Sequence, residues 1–115
     1  MRIIVTKENF PEIAEKLNSI KSGVIAIDTE TKGLKWADEM FSLQLAVQGD
    51  DSYYFNFQEY PLEPEAPVLD TEMLKALHTL WANSKIRWVA ANFKFDLRRI
   101  DIVGIHLNGE LYDVL

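Results

Sequence analysis

Three short strings of the sequence carry carboxylates of the kind that can do metal chemistry. Asp28 and Glu30 follow a short apolar run, Asp96 closes a string that begins at Asn92, and Asp113 follows Leu-Tyr. Carboxylates gathered at strand ends and helix starts commonly hold Mg²⁺ for phosphoryl chemistry, because a hard cation prefers several anionic oxygens in rigid positions. The strings therefore indicate a divalent-metal site if the fold brings them together.

Asp28 and Glu30 have two interpretations. They are two positions apart, so in an extended segment both side chains point to one face. Two carboxylates side by side on a buried strand repel each other and lose hydration, and a bound cation relieves both costs. The alternative is that the strand ends at Ile27 and that the acids belong to a solvated turn, where acidic residues are common.

The other strings also have simple structural explanations. Asp96 in the first turn of a helix could stabilise only the helix dipole, which is worth about 0.3–1 kcal/mol. Asn92 could be only a helix N-cap, and Asp113 only a surface acid. The basic residues of the same helix are interpreted as a solvated face: Lys94, Arg98 and Arg99.

Hydrophobic periodicity predicts the elements that must position these residues. Strands are predicted at residues 2–5, 24–27, 41–48, 53–57 and 87–90, and near 110–112 after an Asn-Gly turn. Residues 24–27 are expected to be buried on both faces, and 41–48 with 53–57 to form an antiparallel hairpin. Helices are predicted at residues 9–20, with Asn9 and Glu12 as a capping box, from 70 or 71 onward, and at 93–101. This order predicts an α/β domain with a mixed sheet against helices.

The composition fits one packed domain. The 115 residues are 48% hydrophobic and contain no cysteine, which excludes a disulfide framework and favours a cytoplasmic location. No apolar stretch approaches the roughly 20 residues of a membrane span, and no signal-peptide pattern is present.

The net charge of −6 opposes simple binding to a phosphate backbone, because like charges repel. Acids that bind metal ions reverse that local sign, so nucleic acid stays a candidate substrate.

In their order and spacing, the strings resemble the DEDD superfamily of 3′→5′ exonucleases. Residues 24–34 resemble its first motif, in the Asp-Thr-Glu-Thr-x-Gly-Leu form of the proofreading domain of family A, polymerase I-type DNA polymerases. Residues 89–96 resemble the second motif, whose core is Asn-x-Lys-aromatic-Asp. Residues 104–113 resemble the strand that follows, with Val114 where the family usually has Thr.

The resemblance implies a ribonuclease H-like α/β fold. It also implies an exonuclease activity that hydrolyses 3′-terminal nucleotides of DNA with two Mg²⁺ or Mn²⁺ ions. It implies that the catalytic metal ligands are Asp28, Glu30 and Asp96. It implies substrate contacts from Thr31, Leu34 and Asn92. The expected partners are the 3′ end of single-stranded DNA and a polymerase domain, in the cytoplasm of a bacterium or of a phage-infected cell.

The family's third motif, Tyr- or His-x-x-x-Asp on a later helix, does not occur within these 115 residues. The chain is therefore interpreted as the N-terminal portion of the domain, C-terminally incomplete, and weak or inactive alone. We expect it to pair with the missing C-terminal part, or to self-associate through uncovered apolar surface. The alternative is a non-catalytic nucleic-acid-binding or structural module of the same fold.

Overall fold

The computed structural model describes residues 1–31, 40–58 and 66–114. Its strands are β1 (Arg2–Ile4), β2 (Gly23–Thr31), β3 (Met40–Val47), β4 (Ser52–Asn56), β5 (Ile86–Ala90) and β6 (Glu110–Asp113). Its helices are α1 (Phe10–Asn18), a 3₁₀ helix (Thr71–Leu77) that runs into α2 (His78–Ala82), and α3 (Phe93–Ile102). No helix among the described residues is long and apolar enough to cross a membrane.

The strands form one mixed sheet in the order β1-β4-β3-β2-β5-β6. The pairs β2–β3 and β3–β4 are antiparallel, and the pairs β1–β4, β2–β5 and β5–β6 are parallel. The prediction of an α/β domain with helices against a mixed sheet is confirmed, as is the antiparallel hairpin. Strand β2 lies in the middle of the sheet and is paired on both edges, so its backbone is firmly held.

The hydrophobic core lies on one face of this sheet. Ile25 and Ile27 of β2 point to that face. They belong to one buried cluster with strand residues such as Leu43, Leu45, Phe55 and Trp88, and with helix residues such as Leu17, Leu74, Leu80 and Ile100. The described helices therefore cover the face that carries Ile25. Because side chains alternate along a strand, the opposite face of β2 carries Ala26, Asp28 and Glu30.

The prediction that residues 24–27 are buried on both faces is wrong for the described structure. Ile25 and Ile27 are buried, but Val24 is half-buried and Ala26 is exposed. A continuous apolar run does not distinguish a strand covered on both faces from one covered on a single face, because each apolar residue can lie on either side. Asp28 thus lies on an accessible face of β2 and not in a closed interior.

Two helix starts differ in detail from the prediction. Asn9 makes no capping bond to α1. Its side chain accepts from the Thr6 N–H at 2.7 Å and donates to the Ile4 carbonyl at 3.0 Å, which ties the start of α1 to the end of β1. Asp70 does cap the next helix by accepting from the Glu72 N–H at 2.9 Å, although that helix begins as 3₁₀.

Gly109 marks a tight backbone approach beside β5. A Cβ at this position would overlap the Ile86 carbonyl, so a side chain cannot be added without moving the chain away from β5. We expect Gly109→Ala to lower the free energy of unfolding by about 1–3 kcal/mol, the usual cost of overpacking. Urea denaturation measures this. The neighbouring variant Glu110→Ala, at an exposed position, is the control, and equal midpoints for the two variants would contradict the prediction.

Candidate functional site

The first two carboxylates lie in the last part of β2. The strand continues to Thr31, so Asp28 and Glu30 are extended residues and the solvated-turn interpretation is wrong. On one side they pair in register with Gln44 and Ser42 of β3. On the other side the pairing with β5 stops at Ala26, so this stretch of β2 projects beyond the end of its parallel neighbour. Asp28 and Glu30 therefore share one face at the carboxyl end of a rigid central strand.

Helix α3 begins in the space that β5 leaves open, and it brings Asp96 to the same place. Asp96 is buried, with 4% of its surface exposed. One carboxylate oxygen, Oδ1, accepts from the Thr29 backbone N–H at 3.1 Å and from the Thr29 hydroxyl at 2.7 Å. Asp96 thus satisfies an amide of β2 that lies beyond the last β2–β5 pair, and the helix is fastened to the strand between the two other carboxylates.

Neighbouring acids contribute to raising the pKa of two of the three carboxyl groups, Glu30 and Asp96. The pKa of Glu30 is raised, mainly by burial and further by the charge of Asp28, by hydrogen bonding with Asp28, and by the charge of Asp96. The pKa of Asp96 is also raised by burial, opposed by the two hydrogen bonds from Thr29. The Asp28 charge raises it further. Like charges held this close favour the binding of a proton or of a cation.

Arg99 is a site residue that the sequence analysis did not find. It was interpreted as part of a solvated helix face, but only 4% of its surface is exposed. Its Nη1 donates to the Phe95 carbonyl at 3.2 Å, and its guanidinium lies 5.3 Å from the Phe95 ring centroid. Its charge also lowers the pKa of Asp96, against the larger effect of burial. The available signal was the three-residue spacing between Asp96 and Arg99, which makes them neighbours on a helix.

The predicted substrate contacts are placed unequally. Thr31 is half-buried at the end of β2, where the register with β3 shifts between Glu30 and Thr31. Asn92 immediately precedes α3 in a left-handed backbone conformation, and its side chain does not cap the helix. Leu34 lies outside the described residues. The structure thus puts Thr31 beside one carboxylate and Asn92 one helical turn before another, and their contact with substrate stays a prediction.

The chemistry of the donors fits a hard divalent cation. Asp28, Glu30 and Asp96 offer only carboxylate oxygens, which suit Mg²⁺ and Mn²⁺ better than softer metals. Ser42, opposite Glu30 in the register, adds a buried hydroxyl oxygen without a hydrogen-bond partner in the described structure. Within residues 1–31, 40–58 and 66–114, no three acidic or histidine side chains are already arranged around a metal position.

The raised pKa of Glu30 gives a testable pH dependence. A carboxyl group whose pKa is higher in the folded protein destabilises the fold once it is ionised, so this cost is present at neutral pH. It is relieved as the pH falls through the raised pKa, and it is gone below the ordinary value of 4.5. We expect Glu30→Gln to raise the melting temperature of the metal-free protein at pH 7, with the gain disappearing below pH 4.5.

Thermal unfolding with a chelator present measures this effect. Glu15→Gln, at an exposed position on α1, is the matched control and should leave the melting temperature unchanged at both pH values. A Glu30→Gln protein that melts below the wild type at pH 7 would show that the carboxylate is stabilised rather than strained by its surroundings.

Comparison with known proteins identifies relatives of the sequence and of the fold. The family description of 3′-5′ exonucleases matches residues 1–113. No curated protein sequence matches the chain. Escherichia coli RNase D, an exoribonuclease involved in structured RNA processing, superposes with a TM-score of 0.62 at 18% identity, over 96% of this chain and 26% of that chain.

Two further solved structures are similar. Trypanosoma brucei RNase D in complex with GMP has a TM-score of 0.70 at 15% identity, over 94% of this chain and 32% of that chain. Brucella melitensis NrnC with bound Mg²⁺ has a TM-score of 0.57 at 20% identity, over 83% of this chain and 44% of that chain. These similarities establish the expected ribonuclease H-like fold. The chain matches about a quarter to less than half of the length of these three structures.

Proposed function

Because the chain belongs to the 3′-5′ exonuclease family, we propose that it removes nucleotides from the 3′ end of a single-stranded nucleic acid by metal-dependent hydrolysis. The observation that carries the proposal is that Asp96 is bonded to Thr29, between Asp28 and Glu30 in the strand, where β2 extends past β5. The charge of Asp28 raises the pKa of both Glu30 and Asp96, which supports a site made for a cation. A frayed strand needs few protein contacts, so the net charge of −6 is no obstacle.

Each carboxylate has a distinct proposed task. Asp28 is the exposed member of the three and is proposed to bridge two ions. Glu30 is half-buried beside it and is proposed to hold the ion on the side of the attacking water. Asp96, whose Oδ1 accepts both hydrogen bonds from Thr29, is proposed to hold the other ion, largely through water, as the family resemblance implies. When bound, the two ions supply an activated water and stabilise the leaving 3′ oxygen.

We propose DNA as the substrate and proofreading beside a polymerase domain as the setting. The support is the Asp-Thr-Glu-Thr-x-Gly-Leu form of the first motif, which resembles that of polymerase I-type enzymes. RNA is the competing substrate, because the RNase D structure with the same fold is described as an exoribonuclease. Thr31, Leu34 and Asn92 are proposed to contact the terminal nucleotides of either substrate.

A nuclease assay with matched oligonucleotides tests the proposal. Single-stranded DNA and RNA of one sequence carry a 5′ label, and each is supplied with a free or a blocked 3′ end. We expect progressive shortening from the free 3′ end in Mg²⁺ or Mn²⁺, no reaction with a chelator, and DNA degraded faster than RNA. Cleavage that ignores the 3′ block would contradict the exonuclease proposal. Binding of the oligonucleotide without any cleavage would favour the non-catalytic module.

Two expectations about the 115-residue chain stay predictions. The first is that three carboxylates alone support only weak hydrolysis, which the same assay tests. The second is self-association through apolar surface, which light scattering tests. Large apolar side chains exposed on and after β6 are the described candidates: Leu111, Tyr112 and Val114.

A further inference from the structure

Asp113 caps a helix that lies far from it in the sequence. One of its carboxylate oxygens accepts from the Asn92 backbone N–H at 3.0 Å, and the other accepts from the Phe93 N–H at 3.1 Å. These amides lie at the start of α3, where backbone N–H groups lack partners within the helix. Asn92 occupies the N-cap position, but its own side chain makes no capping bond. The end of β6 therefore supplies the cap.

The backbone that Asp113 holds is a sharp turn in a left-handed conformation. Asn92 has φ 63° and ψ 61°, and it is the single non-glycine residue with a positive φ among the described residues. This left-handed conformation is uncommon for residues other than glycine, and asparagine is one of the few that tolerate it. Here it turns the chain from β5 into α3 and directs two consecutive N–H groups at one carboxylate.

Asp113 is itself held in register with β5. It pairs with Ala90, and the N–H of Val114 donates to the Ala90 carbonyl at 3.0 Å. The capping carboxylate therefore has a fixed position relative to the point where β5 ends. A continuous set of contacts runs from β6, through the first amides of α3, to Asp96 and on to Thr29 of β2.

We propose that Asp113 is a positioning residue, which fixes the start of α3 and so places Asp96 against β2. Asp96 lies in the first turn after the capped amides. A shift of the helix start would therefore move its carboxylate by a similar distance. Each oxygen of Asp113 takes one N–H, so an amide in its place keeps one acceptor and turns a donor toward the other N–H. The loss should therefore be partial in Asp113→Asn and complete in Asp113→Ala.

The Thr29 amide is a direct reporter of this placement, because its N–H donates to Asp96. We expect hydrogen exchange at Thr29, followed by NMR, to become at least ~10-fold faster in Asp113→Ala, as fits the loss of a hydrogen bond to a charged group. Asp113→Asn should give a smaller increase in the same direction. Amides of the β3–β4 pair, such as Leu43 and Phe55, should exchange as in the wild type.

A control and a rescue variant keep the test specific. Glu110→Ala lies on the same strand, where Glu110 forms an exposed ion pair with Arg87, and it should leave Thr29 unchanged. Asn92→Gly adopts the left-handed turn without strain, so adding it to Asp113→Ala should restore part of the Thr29 protection. Equal acceleration at Thr29, Leu43 and Phe55 would overturn the proposal, since Asp113 would then affect only general stability. Unchanged exchange at Thr29 in Asp113→Ala would also overturn it.

The consequence for catalysis rests on the proposed function, whereas the exchange test does not. Asp113→Asn should lower kcat for oligonucleotide hydrolysis with little change in KM, because Asp113 acts through Asp96 and not on the substrate. A higher KM at full kcat would contradict the positioning role. If the wild type has no nuclease activity, the proposed function fails and the Thr29 measurement still decides the role of Asp113.

Discussion

Replacing Asp28 by alanine is expected to reduce metal-dependent nuclease activity about 10²–10³-fold. Asp28 is exposed on a rigid strand, so its loss should leave the fold intact while removing the carboxylate proposed to bridge two ions. Groups that act as a unit fail together, and losing one transition-state stabiliser typically costs about 10²–10³-fold. The rate of 3′-end shortening of a labelled single strand in Mg²⁺ measures the effect.

Asp101→Ala is the matched control for this loss. Asp101 is also an exposed acid, but it lies on the far part of α3 and pairs with His106 and Arg98. It should retain wild-type activity and report any general effect of removing a negative charge from the chain. Mg²⁺-dependent cleavage that survives Asp28→Ala undiminished would remove Asp28 from the catalytic site.

The largest expected effect on stability is that of Trp88→Ala. Trp88 is fully buried on β5, and its ring centroid lies 5.7 Å from the ring centroid of Trp81 in the core. Its Nε1 makes no hydrogen bond within the described structure, so the variant loses packing rather than polar contacts. Removing a buried aromatic side chain typically costs about 3–5 kcal/mol. That is a large part of the about 5–15 kcal/mol that stabilises a domain.

Urea denaturation with a linear extrapolation measures this free energy. Val89→Ala changes the next residue of β5, which is half-buried on the opposite face, and should cost much less. A Trp88→Ala protein within about 1 kcal/mol of the wild type, the size of an average substitution, would mean that the core on this face is not tightly packed.

The sequence was most informative where local spacing decides the outcome. The apolar alternation along residues 41–48, the apolar run before Asp28 and the helical spacing of Phe93 and Ile100 each indicate an element from residues that are close together in the sequence. The DEDD-type motifs then united carboxylates that are 66 to 68 positions apart in the chain. Without that resemblance, Asp96 would have been read as a helix-dipole acid, because nothing local indicates its bonds to Thr29.

The features that the sequence could not indicate depend on contacts between residues that are far apart in the chain. Arg99 looks like a surface residue in the sequence, because its burial depends on the packing of α3 against the sheet. Asp113 looks like a surface acid until the β6 register aligns it with the start of α3. Asn9 and Glu12 match the sequence pattern of a capping box, but the Asn9 side chain instead hydrogen-bonds to the Thr6 N–H and the Ile4 carbonyl near the end of β1. In each case a tertiary contact outweighs the local preference.

Metal binding by the three carboxylates is the claim on which the proposed chemistry depends. Isothermal titration calorimetry with Mn²⁺ tests it without requiring activity. We predict weak, saturable binding by the wild type and by Asp101→Ala, because the carboxylates near Asp96 repel one another and gain most from a cation. We predict no saturable binding by Asp28→Ala. Equal Mn²⁺ binding by the wild type and Asp28→Ala would contradict the account.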